Sequence, residues 1–141
     1  MPSLCYNRAL FSNGPFNAVM LVKVIRNVLG YSIAAVDVAT RGRGMKRSPE
    51  AQAAVDAELQ QLALYQFTAC PFCIKTRRAM HKLGLQVEKR DAMNNAEARQ
   101  ELEQQGGRIK VPCLRIQKPG KQDVWMYESK DIISYLQQRF G

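Results

Sequence analysis

An α/β domain, with a four-stranded mixed sheet flanked by helices, is predicted for residues 61–141 by three observations. The first is the run Leu62-Ala63-Leu64-Tyr65-Gln66-Phe67, which has the length and apolar content of a buried strand. The second is Cys70-Pro71-Phe72-Cys73, set where that run gives way to a helical pattern from Ile74 to Leu83. The third is the order that follows: strand 61–67, helix 71–84, strand 86–91, helix 95–105, strand 111–116, strand 124–127, helix 129–139. That order, βαβαββα, places helices on both faces of one sheet.

Local signals support each element. Pro71 suits a first helical position, where its missing N–H has no partner to lose. Gly84 stops that helix, and Gly106-Gly107 stop the next, for which Asn94 or Asn95 is the cap. Pro119-Gly120 turns the chain between the last two strands. Ser129 is expected to cap the closing helix. Trp125 and Tyr127 read as fold residues, and His81 as a solvated one. Upstream, Ser48-Pro49-Glu50 combines a cap, a proline and an early acid, opening a connecting helix over Ala51–Gln60.

The remaining N-terminal part is different. At 141 residues the chain is one domain with an addition: an amphipathic, basic segment over 1–47, a connecting helix over 48–60, and the domain over 61–141. Residues 1–17 carry little pattern, and Met20 is a candidate second start. In residues 18–39, Lys23, Arg26, Asn27, Gly30, Ala34 and Asp37 fall on one stripe of a 3.6-residue helix, which Arg41 continues. The rest of that surface is Val, Leu, Ile, Ala and Tyr31. Asp37 and the basic run Arg41, Arg43, Lys46, Arg47 argue against a cleaved signal peptide, and the charges against a spanning helix. A helix lying in an anionic membrane surface is expected, on the inner face of the cytoplasmic membrane. The alternative is a helix that packs its apolar side on the domain or on a second copy.

Charge points the same way. Residues 1–50 hold seven Lys/Arg against two Asp/Glu, more than half of the net charge of +9 on about a third of the chain. The basic residues follow an apolar helix rather than aromatic platforms, so nucleic acid is not the expected partner.

Four cysteines are present: Cys5, Cys70, Cys73 and Cys113. That is too sparse for a disulfide-stapled scaffold. A structural zinc site needs four ligands, usually as two close pairs, and His81 is the only histidine, so no metal is expected. Two thiols at this spacing on a strand-to-helix turn suit thiol–disulfide exchange in a reducing compartment. Cys70 lies at a helix N-terminus, where unpaired N–H groups and the dipole favour a thiolate.

These residues together resemble a glutaredoxin, a thioredoxin-like fold, over about residues 61–141. The resemblance rests on Cys70-Pro71-Phe72-Cys73, on Val111-Pro112 and on Tyr127-Glu128-Ser129-Lys130-Asp131-Ile132. The last motif is closer to the glutathione-binding half of glutathione transferases, whose Glu-Ser is followed by Ile and Tyr-Leu, here Ile132 and Tyr135-Leu136. The resemblance implies that Val111-Pro112 is a cis peptide facing Cys70. It also implies that the Val111 backbone pairs with the cysteinyl part of glutathione as an added strand. Ser129 and the N–H groups around it would take the γ-glutamyl carboxylate, and Glu128 the ammonium beside it. Phe72 would be a partly exposed apolar contact for substrate. Cys70 would then be the attacking thiol and Cys73 the resolving one, with glutathione as co-substrate and glutathionylated or disulfide-containing proteins as partners.

There are departures from that pattern. Phe67 stands where many glutaredoxins have a lysine that meets the glycyl carboxylate; Lys110, Arg108 and Lys75 are the candidate replacements. Tyr127-Glu128 replaces a double glycine. The transferases' all-helical second domain has no counterpart before the end at Gly141, which is unlike a conjugating transferase. Two alternative functions follow from the resemblance. One is an iron–sulfur cluster carrier ligated by Cys70 and glutathione, a role that Pro71 disfavours. The other is a membrane-tethered module that binds glutathione without turnover. Cys113 is expected to be buried and inert.

Overall fold

The structure, a computed structural model, describes residues 15–141; Cys5 and the rest of residues 1–14 lie outside them. The described elements are α1 (Pro15–Thr40), α2 (Pro49–Leu59), β1 (Leu62–Gln66), α3 (Pro71–Lys82), β2 (Glu88–Asp91), α4 (Ala96–Gln104), β3 (Cys113–Ile116), β4 (Val124–Met126) and α5 (Ser129–Phe140). The sheet order is β2-β1-β3-β4, with β1 parallel to β2 and antiparallel to β3, and β3 antiparallel to β4. This is the thioredoxin-like arrangement, with the mixed four-stranded sheet that the element order predicts.

Strand alternation divides the core into two layers. Leu62 and Leu64 of β1, with Leu114 and Ile116 of β3, face Met80 and Leu83 near α3 and Ile132, Leu136 and Phe140 of α5. Ala63, Tyr65 and Cys113 face the other way, against Ala98 and Leu102 of α4, with Trp125 and Tyr127 packed at the margin. Tyr65 and Trp125 meet with ring centroids 5.4 Å apart. Cys113 is buried in this second layer.

The caps follow the sequence with one exception. Ser48 and Asn95 accept from the backbone N–H groups of Ala51 and Ala98. Pro119-Gly120 forms the expected turn, closed by Lys121 N–H donating to the Lys118 carbonyl at 3.0 Å, with Gly120 at φ +71°. The exception is α5. Its cap is Glu128, in extended conformation with no side-chain capping bond, and Ser129 is the first helical residue instead. His81 also differs from expectation: it is partly buried, its Nε2 2.9 Å from the Gly42 carbonyl, and so ties the linker to α3.

α1 bears on the alternative given for it, a helix packed on the domain by its apolar side. It packs on α3, but not through its apolar side. Ala34 and Asp37 are its buried residues, and a Cβ at Gly30 would come within 2.6 Å of the Ala69 Cβ. These positions belong to the polar and small stripe, so the apolar side faces outward. The reason is steric and electrostatic: Gly30 and Ala34 permit close approach, and Asp37 meets Arg41 at 2.6 Å and Arg78 at 3.4 Å. The packing of an apolar helix face on the domain is therefore ruled out for this structure.

Candidate functional site

One end of the sheet collects the chemistry. β1 leads through Phe67-Thr68-Ala69 to Cys70, which is the extended N-cap residue of α3, with Pro71 first in the helix. β1 and β3 pair with Tyr65 opposite Cys113. Continuing that antiparallel register puts Val111-Pro112 beside the Phe67–Cys70 turn. β3 and β4 pair with Leu114 opposite Met126, so Glu128 and Ser129 emerge next to the same end. The peptide bond between Val111 and Pro112 is cis. The six residues Cys70, Cys73, Val111, Pro112, Glu128 and Ser129, far apart in sequence, thus share one rim.

The two thiols differ in environment. Cys70 is partly exposed and Cys73 fully buried; neither is in a disulfide. Burial pushes the Cys73 thiol up to about 12, and the neighbouring Cys70 adds to the rise, against a backbone hydrogen bond at Phe67 and the charge of Arg77. Burial also pushes Cys113 up to about 12. An attacking thiolate must come from an accessible sulfur. Of these three, only Cys70 meets that description by position. Iodoacetamide at pH 7.5 is therefore expected to label the Cys70 peptide and to spare Cys73 and Cys113 until the fold is lost. Equal labelling of the Cys113 peptide in the native protein would contradict this assignment.

The expected ligand residues are placed as follows. Phe72 is exposed (62%) on the first turn of α3, as a substrate contact requires. Val111 is partly buried and Pro112 buried. Among the described residues, the Val111 N–H and C=O make no hydrogen bond to other backbone groups. The first N–H groups of α5, from Ser129 onward, precede the ladder that begins with Ile132 N–H donating to the Glu128 carbonyl at 2.9 Å. Lys110 forms an ion pair with Glu128, which holds that carboxyl below the usual carboxylate range. The sequence assigned these two side chains to opposite ends of one ligand; the structure joins them to each other. Arg108 lies over the Tyr127 ring at 4.4 Å, and Lys75 is exposed on α3.

Sequence reasoning missed Arg77. It lies one helical turn after Cys73, is 8% exposed, and donates to Gln66 Oε1 at 2.6 Å and to the Thr68 carbonyl at 2.9 Å. It thus holds both the end of β1 and the turn that leads to Cys70. Burial lowers its guanidinium from the ordinary value, with the Cys73 and Cys70 thiols acting in the opposite sense. The signal was available: a cation four residues after Cys73 shares its helical face.

Comparison with known proteins places this geometry in context. Residues 64–141, more than half of the chain, match the family model described as glutathione S-transferase, N-terminal domain. No curated protein matches. Two solved structures of maleylacetoacetate isomerase from Anaeromyxobacter dehalogenans 2CP-1 are similar. One has GSH bound in the active site, and the other dicarboxyethyl glutathione and citrate. Each is 23% identical, with a TM-score of 0.42, and the match covers 57% of this chain. It spans 38% and 37% of theirs, well under half the length of those proteins.

Proposed function

Because the chain belongs to the glutathione S-transferase N-terminal domain family, we propose that it binds glutathione and uses it to reduce disulfides through Cys70, as a glutaredoxin does. The observation that carries this reading is the pairing of a partly exposed Cys70 at a helix N-terminus with a buried Cys73 three residues on. A conjugating transferase has no need of that second thiol.

The chemistry follows from thiol–disulfide exchange. The Cys70 thiolate attacks the glutathionyl sulfur of a mixed disulfide, forming a Cys70–glutathione disulfide and releasing the substrate thiolate. A second glutathione thiolate then attacks that disulfide, releasing oxidised glutathione and restoring Cys70. With a protein disulfide, Cys70 forms a mixed disulfide with the substrate. Cys73 then displaces the substrate thiolate, leaving a Cys70–Cys73 disulfide that two glutathione molecules reduce in turn.

Binding would use the rim. The Val111 N–H and C=O are suited to the cysteinyl part of glutathione as an added strand. The free N–H groups at the start of α5, with Ser129, suit the γ-glutamyl carboxylate, because a helix N-terminus favours an anion. Glu128 would take the ammonium group, exchanging it for Lys110. Lys110 is then released toward the remaining carboxylate, which resolves the difference between its predicted role and its ion pair.

The test is glutathione-coupled reduction of a small glutathione mixed disulfide by the native chain. Turnover that saturates in both substrates is expected. Saturable glutathione binding by calorimetry with no turnover would leave a binding module and remove the oxidoreductase reading.

A further inference from the structure

The outward face of α1 is apolar and exposed. Twelve large apolar side chains of this helix are between 46% and 62% exposed, among them Leu21, Val24, Ile25, Val28 and Leu29. A soluble monomer rarely exposes a contiguous apolar patch of more than a few hundred square ångströms. The residues that normally face water do the opposite here, since Gly30, Ala34 and Asp37 face the domain. Lys23, Arg26 and Asn27 continue the same stripe toward the helix start. Even the hydroxyls of the apolar face are satisfied within the helix: Ser32 donates to the Val28 carbonyl and Thr40 to the Val36 carbonyl, each at 2.7 Å. We infer that α1 lies flat on an anionic lipid bilayer, apolar face in the acyl region, with the domain held above it.

Length by itself would allow α1 to cross a membrane: Ala18–Thr40 is long and apolar enough. Its attachment argues otherwise. From Gly30 onward the helix is packed against the domain, so among the described residues only 15–29 of α1 are free of it. At about 1.5 Å per residue they reach about 22 Å, short of the ~30 Å hydrocarbon core. The attachment is also firm. Beyond the Asp37 ion pairs, Met45 N–H donates to the Lys82 carbonyl at 2.9 Å. Arg47 donates to the Leu83 carbonyl at 2.6 Å and also to the Phe140 carbonyl. An in-plane helix needs no detachment.

Charge selects lipid over a second copy. Lys23 and Arg26 are exposed on the stripe opposite the apolar face, and Arg43, Lys46, Arg78 and Lys82 are exposed around the C-terminal end of the helix. Two copies pairing through α1 would bring these cations together. An anionic surface complements them, each basic group adding to binding within a Debye length. With the helix lying flat, Lys23 and Arg26 stand on the side away from the acyl region, at the level of the headgroups.

The experiment is co-sedimentation of the full chain with vesicles of phosphatidylcholine containing 30% phosphatidylglycerol, against phosphatidylcholine alone. Binding at least tenfold tighter to the anionic vesicles is expected, reduced in 0.5 M salt and released by carbonate at alkaline pH. The double variant Ile25→Glu/Val28→Glu should lose binding with its circular dichroism and its redox activity intact. Three results would overturn the inference. One is absence of binding at millimolar lipid. Another is carbonate-resistant insertion, which would mean a spanning helix. The third is a dimer in lipid-free solution that the double variant dissociates while vesicle binding persists.

Discussion

Replacing Cys70 with serine should reduce turnover of a glutathione mixed disulfide by at least about a thousandfold, to the uncatalysed rate, because the covalent intermediate can no longer form. Replacing Cys73 should not. In the mixed-disulfide reaction Cys70 is the nucleophile of the first displacement and the leaving group of the second, and Cys73 is a spectator with its thiol pushed up to about 12. Cys73→Ala is the variant to use, because the site is fully buried and alanine brings no polar group into it. Its rate on the small mixed disulfide should stay within about fivefold of native, while reduction of a protein disulfide that needs a resolving thiol should fall by far more. The assay is the same glutathione-coupled turnover for all three proteins. If Cys73→Ala and Cys70→Ser lose the small-substrate activity equally, a single-thiol cycle is wrong. If Cys70→Ser retains it, the nucleophile has been misplaced.

Much of this was legible in the sequence, for a physical reason. β1 and the Cys70–Cys73 turn are local: a strand of apolar residues, a proline at a first helical position and a glycine at +66° after α3 each act within a few residues. The register that brings Val111-Pro112 and Glu128-Ser129 beside Cys70 is not local, yet it follows once the element order is known, since few topologies accommodate it. What failed was the choice between neighbours of similar propensity. Ser129 is the better intrinsic cap, but the chain leaves the extended conformation one residue earlier than a Ser129 cap requires, so Glu128 holds the cap position. Which side of α1 meets the domain was also beyond the sequence. The stripe was visible; that it contains the two small residues and the one acid able to dock on α3 became informative only with Ala69 and Arg78 opposite. The ion pair between Lys110 and Glu128 was not legible either, because their proximity depends on the register that sets β4 beside β3.

The site's dependence on Arg77 leads to the second large effect. A guanidinium this buried has two tasks in the structure. It supplies the hydrogen bonds that Gln66 Oε1 and the Thr68 carbonyl receive, and it places a positive charge beneath the two thiols. Arginine keeps its charge in such a place because its intrinsic affinity for the proton is very high. Arg77→Leu removes both contributions and leaves two acceptors without donors, so unfolding free energy should fall by about 2–4 kcal/mol, read from urea denaturation. In the same variant, alkylation of Cys70 by iodoacetamide at pH 7 should slow by about tenfold, since a cation near a thiol favours its thiolate. Arg77→Lys separates the tasks. A lysine carries the charge without the planar fork, so it should restore most of the alkylation rate and little of the stability. A purely structural Arg77 predicts a different pattern, in which the alkylation rate of folded protein is unchanged in both variants and only the urea midpoint moves. Arg77 is thus a positioning residue, acting on the reaction through the turn it holds and the thiols it faces, and the two readouts distinguish that role from simple packing.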